Sequence, residues 1–258
     1  MFILEELLAA KREEIRLLKR ASSSSGICTT EAVRSREPVW DFKAGLDAAG
    51  LSVIAEIKRK SPSAGELRPE LDPAAAAADY EKSGARAVSV LTDRSFFGGS
   101  IQDMREARSA CGLPVLRKEF ILDEIQIPQS REAGADAVLL IARILSPERL
   151  ADLHRFAASE GMACLVEIRN PEELDAALRA GASIIGVNNR DLDTLETDLS
   201  ISLELASSLP GSATKVAESG IRSTDDARRL RDKGYDAILV GEAVIRTPGL
   251  LNALTAIQ

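Results

Sequence analysis

The sequence predicts an α/β protein built as a (β/α)8 barrel with an N-terminal helical extension. Three observations predict it: eight short apolar runs alternate with helical segments, one glycine phrase recurs at a steady interval, and the chain is 258 residues long. Strand and helix alternating throughout imply parallel pairing through helical crossovers. The length matches the roughly 250 residues of one eight-fold barrel and is long for two small domains. One domain over 1–258 is expected, with the extension in 1–48 and the barrel in 49–258.

In chain order, residues 4–19 interleave Leu and Ile with Glu, Lys and Arg at helical spacing, which reads as an amphipathic helix. Residues 38–48 read as a second helix, and the serine run closed by Gly26 reads as a flexible surface connection at 22–26. Such an extension covers either the barrel floor or its mouth, and periodicity does not choose between them. Apolar runs then fall at 53–58, 87–91, 114–118, 137–141, 163–168, 183–188, 214–218 and 237–240. The helical pattern between them is clearest at 73–82, 147–159, 171–179 and 224–232.

The phrase Ser83-Gly84-Ala85 returns as Ala133-Gly134-Ala135, Ala180-Gly181-Ala182 and Lys233-Gly234-Tyr235. Each copy reads as a helix end, a glycine in the left-handed position after it, and the start of the next strand. The interval is roughly fifty residues, two βα units per repeat. Four repeats make eight strands and favour closure over an open doubly wound sheet.

Composition narrows the function classes. Hydrophobic residues at 45% and charged residues at 28% exclude a disordered chain. Lys+Arg 33 against Asp+Glu 40 gives a net charge of -7, and no basic block offers a phosphate-tracking stripe, so nucleic acid is excluded as a partner. Cys28, Cys111 and Cys164 are odd in number and widely spaced, which suits neither a disulfide framework nor a zinc site. A cytoplasmic setting follows. No run resembles a signal peptide or a membrane span. The single histidine, His154, falls in a helical segment and reads as helix packing or surface, so neither a metal nor another cofactor is expected. The expected form is a monomer acting on a small molecule.

In a barrel, side chains alternate between the interior and the helix layer, and active sites form at the C-terminal ends of the strands. On the first strand Val53, Ala55 and Ile57 share the apolar face, so Glu56 and Lys58 point into the mouth. By the same reading Lys118, Glu167, Asn188 and Glu218 close the third, fifth, sixth and seventh strands. Two lysines and three glutamates in a partly desolvated mouth must pair, which perturbs their proton affinities and supplies acid and base chemistry near neutral pH. Ser219-Gly220-Ile221-Arg222-Ser223 and Gly241-Glu242-Ala243-Val244 follow strands seven and eight, the usual phosphate cradle of such barrels. A phosphorylated substrate is expected.

At these residues the sequence resembles the indole-3-glycerol phosphate synthases, which are TIM barrels. The resemblance runs through Glu56-Ile57-Lys58-Arg59-Lys60-Ser61-Pro62-Ser63, Leu91-Thr92-Asp93, Phe96-Phe97-Gly98-Gly99-Ser100 and Leu116-Arg117-Lys118-Glu119-Phe120-Ile121. It continues in Val166-Glu167-Ile168, Val187-Asn188-Asn189-Arg190-Asp191-Leu192 and Ala217-Glu218-Ser219-Gly220-Ile221, and includes Leu4, Leu7 and Lys11 of the first helix. It implies conversion of 1-(2-carboxyphenylamino)-1-deoxyribulose 5-phosphate to indole-3-glycerol phosphate in tryptophan biosynthesis, with loss of carbon dioxide and water. It further implies Lys118 as general acid in ring closure, Glu167 as general base in dehydration and Lys58 as the group that protonates the departing hydroxyl. Glu56 and Asn188 orient substrate and lysines, and Ser219 makes contacts nearby. Substrate contacts are expected from Lys60, Ser61, Phe97, Phe120, Arg190, Glu218, Gly220, Gly241 and Glu242.

The sequence departs from the family's pattern at Ile125, where a tyrosine is usual before Gln126, and at Pro128. Pro128 lacks a backbone N–H, so the third helix is expected to begin late or bend. A sister barrel of the phosphoribosylanthranilate isomerase type would explain the fold and the phosphate loops. It would not explain the set Glu56, Lys58, Lys118 and Glu167, or the N-terminal helix.

Overall fold

The computed structural model describes residues 3–25 and 40–257. Eight strands, β1 (Ser52–Ile57), β2 (Ala87–Leu91), β3 (Val115–Lys118), β4 (Ala137–Ile141), β5 (Ala163–Ile168), β6 (Ile184–Asn188), β7 (Thr214–Glu218) and β8 (Ala237–Val240), form a closed barrel. All neighbours are parallel, and β1 closes on β8 with Ser52 opposite Ala237. The helices are α1 (Ile3–Ser25), α2 (Phe42–Leu46), α3 (Pro73–Lys82), α4 (Arg94–Phe97), α5 (Ile101–Ala110), α6 (Gln126–Glu132) and α7 (Pro147–Ser159). They continue as α8 (Pro171–Arg179), α9 (Ser200–Leu205), α10 (Thr224–Asp232), α11 (Glu242–Arg246) and α12 (Leu250–Thr255).

The period of two along each strand sorts the core into two layers. Val53, Ala55 and Ile57 join Val88, Val90, Val138 and Leu140 in the layer between sheet and helices. Ile54 turns the other way and meets Leu116, Leu165, Ile184, Val216 and Leu239 inside the barrel. Glu56 therefore continues the inward face that Ile54 begins. Ile54 is fully buried, and its truncation to Ala would cost about 2–5 kcal/mol.

Local chemistry sets the helix ends. Asp72, Ser146 and Asn170 each accept a backbone N–H in the first turn of α3, α7 and α8, and each is followed by a proline preset for that turn. Ser223 and Asp226 cap α10 reciprocally. The four repeated glycines, Gly84, Gly134, Gly181 and Gly234, all adopt φ of 84–95°, the left-handed conformation that the repeat predicts. Pro128 lies in the first turn of α6, where a missing N–H removes no helical bond. No side chain caps that helix. Gln126 instead ties the preceding loop, accepting from the Leu122 and Asp123 N–H groups and donating to the Phe120 carbonyl.

Several boundaries differ from the sequence reading. The first strand ends at Ile57, so Lys58 lies just past it, while β3 and β6 begin one residue later than expected. The predicted connection at 22–26 is helical through Ser25, because neither glycine nor proline interrupts α1 before Gly26, which lies outside the described residues. The second helix spans only Phe42–Leu46, started by the Asp41 carboxylate on the Ala44 N–H; Pro38 falls outside the described residues.

The two N-terminal helices occupy opposite ends of the barrel. Beneath the floor, Phe42 and Leu46 are buried, the Ser52 hydroxyl donates to the Leu46 carbonyl and the Thr214 hydroxyl to Asp47. Ser52 and Thr214 are the first residues of their strands. Above the mouth, Leu7 is buried against the interior layer and Lys11 reaches Asp93 and Glu119, just past the ends of β2 and β3.

Candidate active site

The C-terminal ends of the strands surround a cavity of about 360 Å³, walled on one side by Leu4 and Leu7 of α1. Glu56 from β1, Lys118 from β3, Glu167 from β5, Asn188 from β6 and Glu218 from β7 all line it, with Lys58 beside them. The Lys118 ammonium lies 2.9 Å from Glu167 Oε2 and 2.7 Å from Glu218 Oε2. Lys58 Nζ lies 2.5 Å from Glu56 Oε1. The Glu218 side chain is 1% exposed and that of Lys118 13%, so these charges meet largely out of water.

Backbone space makes this packing possible. A Cβ on Gly186 would come within 2.1 Å of Glu218 Oε1, and one on Gly241 within 2.5 Å of Glu56 Oε1. Each glycine leaves room for a carboxylate on a neighbouring strand, with Gly186 on β6 beside β7 and Gly241 following β8 beside β1. Burial disfavours the charged form of Lys118, but Glu167, Glu218 and Glu56 outweigh it and raise its pKa. Burial pushes the Glu218 carboxyl up to about 7, with Glu167 and Glu56 adding to the rise and Lys118 opposing it. Burial of Glu218 beside two further carboxyls thus favours its protonated form.

The aromatic wall comes from Phe97, at the end of α4, and Phe120, after β3, whose ring centroids lie 6.3 Å apart and tilted by 33°. Ser61, Arg190, Ser219, Gly220, Gly241 and Glu242 also line the cavity. Arg190 donates to the Leu195 carbonyl and stands 3.9 Å from Glu242, with Arg222 and Arg246 on the same side. Ser219 holds φ of 65° and Gly220 φ of 80°. A serine in that region costs on the order of 1 kcal/mol or more. Buried Asn189 stabilises it by donating to the Glu218 and Ser219 carbonyls while accepting from the Ser202 N–H.

One sequence expectation needs correction. Lys60 does not reach the cavity, because its ammonium is tied to the Ser95 carbonyl at 2.7 Å and faces outward. The expected pairing of lysines and glutamates is present across strands, where the Lys118 and Glu167 side chains meet because both point to the barrel axis. Gly241 lines the cavity with the Glu56 side chain as the nearest neighbour a Cβ there would meet. Among the described residues no group of three or more His, Cys, Asp or Glu is placed to hold a metal ion, and no helix is long and apolar enough to cross a membrane. His154 sits half-buried on α7, away from the cavity lining.

A model of the indole-3-glycerol phosphate synthase family matches residues 4–257. The chain belongs to that family. It is 43% identical over 261 residues to an indole-3-glycerol phosphate synthase of Rhodopirellula baltica, covering all of this chain and 99% of the relative. It is 44% identical over 254 residues to one from Bordetella pertussis, covering 96% of each. A third, from Desulfosudis oleivorans, is 48% identical over 205 residues, 80% of this chain and 78% of the relative. The family match takes in α1 as well as the barrel, in keeping with a helix that forms part of the cavity wall.

Sequence reasoning missed the layer behind the cavity. Arg117, 1% exposed, points away from the axis and holds Thr92, the Gln126 carbonyl, Gln129 and Ser130. Glu119, Asp93 and Asn189 are buried beside it or across the barrel. The available signal was a charge inside an apolar strand on the helix-facing parity, which Arg117 carries.

Proposed function

We propose that this mouth performs the family's decarboxylating ring closure, converting 1-(2-carboxyphenylamino)-1-deoxyribulose 5-phosphate to indole-3-glycerol phosphate in the cytoplasm. The observation that carries the reading is the ammonium of Lys118 held between Glu167 and Glu218 at the strand ends, next to the pair Lys58–Glu56. Attack of the electron-rich ring carbon on the substrate carbonyl builds negative charge on oxygen, which Lys118 neutralises and protonates. Carbon dioxide leaves from the ring. Lys58 then protonates the departing hydroxyl, which leaves as water, and Glu167 takes the proton from the carbon next to the nitrogen, forming the double bond that completes the indole.

The contact between Lys118 and Glu167 gives the substrate something to displace. A carbonyl oxygen entering between them takes one of the lysine's hydrogen bonds and frees the Glu167 carboxylate for its later step. Glu218 keeps its bond to Lys118 and anchors the ammonium. Phe97 and Phe120 flank the aromatic ring, Glu56 and Asn188 orient the sugar and the lysines, and Ser61 and Ser219 add polar contacts. The phosphate lies toward Gly220, Gly241 and Arg190, where Arg222 and Arg246 also concentrate positive charge and Glu242 is neutralised by Arg190 and Arg246.

Incubating the purified chain with the carboxyphenylamino-deoxyribulose phosphate and following indole fluorescence tests this directly. Equimolar release of carbon dioxide and appearance of indole-3-glycerol phosphate is the expected result. A chain that binds the substrate and leaves it unchanged overturns the reading.

A further inference from the structure

Lys11 is the one lysine whose entire side chain is sealed from water among the described residues, at 1% exposure, although it belongs to the amphipathic helix α1. Its ammonium lies 2.7 Å from Glu14, 2.9 Å from Glu119 and 3.1 Å from Asp93. Burial works against that charge, but Glu119, Glu14 and Asp93 more than offset it and raise the lysine's pKa. A buried cation with this many partners is expensive to assemble, and apolar residues of the same volume often serve stability equally well. Its placement therefore calls for a reason other than stability.

The two buried partners supply one. Asp93 Oδ1 accepts the Phe96 N–H at 2.7 Å and starts α4, the four-residue helix that ends in Phe97. Glu119 Oε1 accepts the Phe120 N–H at 2.8 Å, and its Oε2 accepts the Thr92 hydroxyl at 2.7 Å. Each carboxylate thus fixes the segment bearing one of the two cavity phenylalanines. Lys11 itself is not in the cavity lining.

We infer that Lys11 is a positioning residue for the aromatic wall: by bridging Asp93 and Glu119 it holds Phe97 and Phe120 in register, so that the ring-binding site is complete only when α1 is seated over the mouth. The inference rests on the proposed reaction, in which those two rings flank the substrate's aromatic ring. Without the ammonium, Asp93 and Glu119 repel each other across the gap and the two loops separate. The phosphate end of the site, at the ends of strands six to eight, is untouched.

The test is a double-mutant comparison in the full-length enzyme. Lys11→Met should raise KM about tenfold while kcat falls less than threefold, since aromatic contact contributes binding of that order. The same change in a Phe97→Leu/Phe120→Leu background, which removes the rings and keeps apolar side chains, should raise KM less than twofold, because the lysine then has no rings to position. Equal effects in the two backgrounds, or a loss confined to kcat, would overturn the inference. Thermal unfolding of each variant reports whether the fold is kept. If Lys11→Met does not fold, Asp93→Asn carries the same comparison with an expected rise of about threefold. A wild-type enzyme that forms no product would sink the proposed reaction instead, which separates the two failures.

Discussion

Replacing Lys118 by Met keeps the length of the side chain and removes an ammonium held 2.9 Å from Glu167 and 2.7 Å from Glu218. Two consequences follow. Turnover loses its general acid for ring closure, a factor of roughly 10²–10⁴. Stability also falls, since removing one partner of a buried pair costs about 3–5 kcal/mol while the orphaned carboxylates stay charged. That cost depends on pH in a definite sense. Glu218 in the folded enzyme is already pushed up to about 7 from an ordinary value of 4.5, and losing the cation that opposes the shift raises it further. A carboxyl raised on folding contributes stability below its unfolded value, and that contribution is lost as pH rises through the folded value. The variant's stability deficit relative to wild type should therefore be smaller at pH 5 than at pH 8. Urea unfolding at both values measures the gap, and indole fluorescence at saturating substrate measures turnover. Half the wild-type turnover would remove Lys118 from the chemistry, and an equal stability deficit at both pH values would refute the electrostatic account.

Glu167→Gln should retain substrate binding and lose on the order of a hundredfold or more in turnover, with an altered pH–rate profile; an unchanged profile would count against Glu167 as the base. Gly186→Ala places a Cβ 2.1 Å from Glu218 Oε1, so Glu218 must leave Lys118 and turnover should drop at least tenfold in a folded protein; full activity would show that the anchor is dispensable. Inorganic phosphate should inhibit competitively. Gly241→Val should weaken phosphate and substrate together if loops seven and eight cradle the phosphate, whereas an unchanged phosphate inhibition constant with lost turnover would assign Gly241 solely to making room for Glu56. Chelators should leave activity intact, and restoration of a chelated enzyme by a divalent ion would contradict the metal-free scheme.

Residue types and their spacing determined the barrel and the polar groups of its mouth. A period of two in each apolar run assigns Ile54 and Glu56 to one face and Val53, Ala55 and Ile57 to the other, whatever the neighbours are. The helix starts at Asp72, Ser146 and Asn170 and the left-handed glycines after α3, α6, α8 and α10 are equally local, because one or two residues satisfy the exposed backbone groups there. Tertiary structure alone decided which strand-end charges touch. Lys118 and Glu218 are 100 residues apart in the chain, and their contact depends on barrel closure, on the empty Cβ position at Gly186, and on a charge balance that only burial makes costly. Periodicity likewise left the N-terminal helices without an address, since an apolar stripe specifies that it is buried and not against what. The burial of Lys11 against Asp93 and Glu119 placed one helix over the mouth, and the contacts of Leu46 and Asp47 with the first residues of β1 and β7 placed the other beneath the floor.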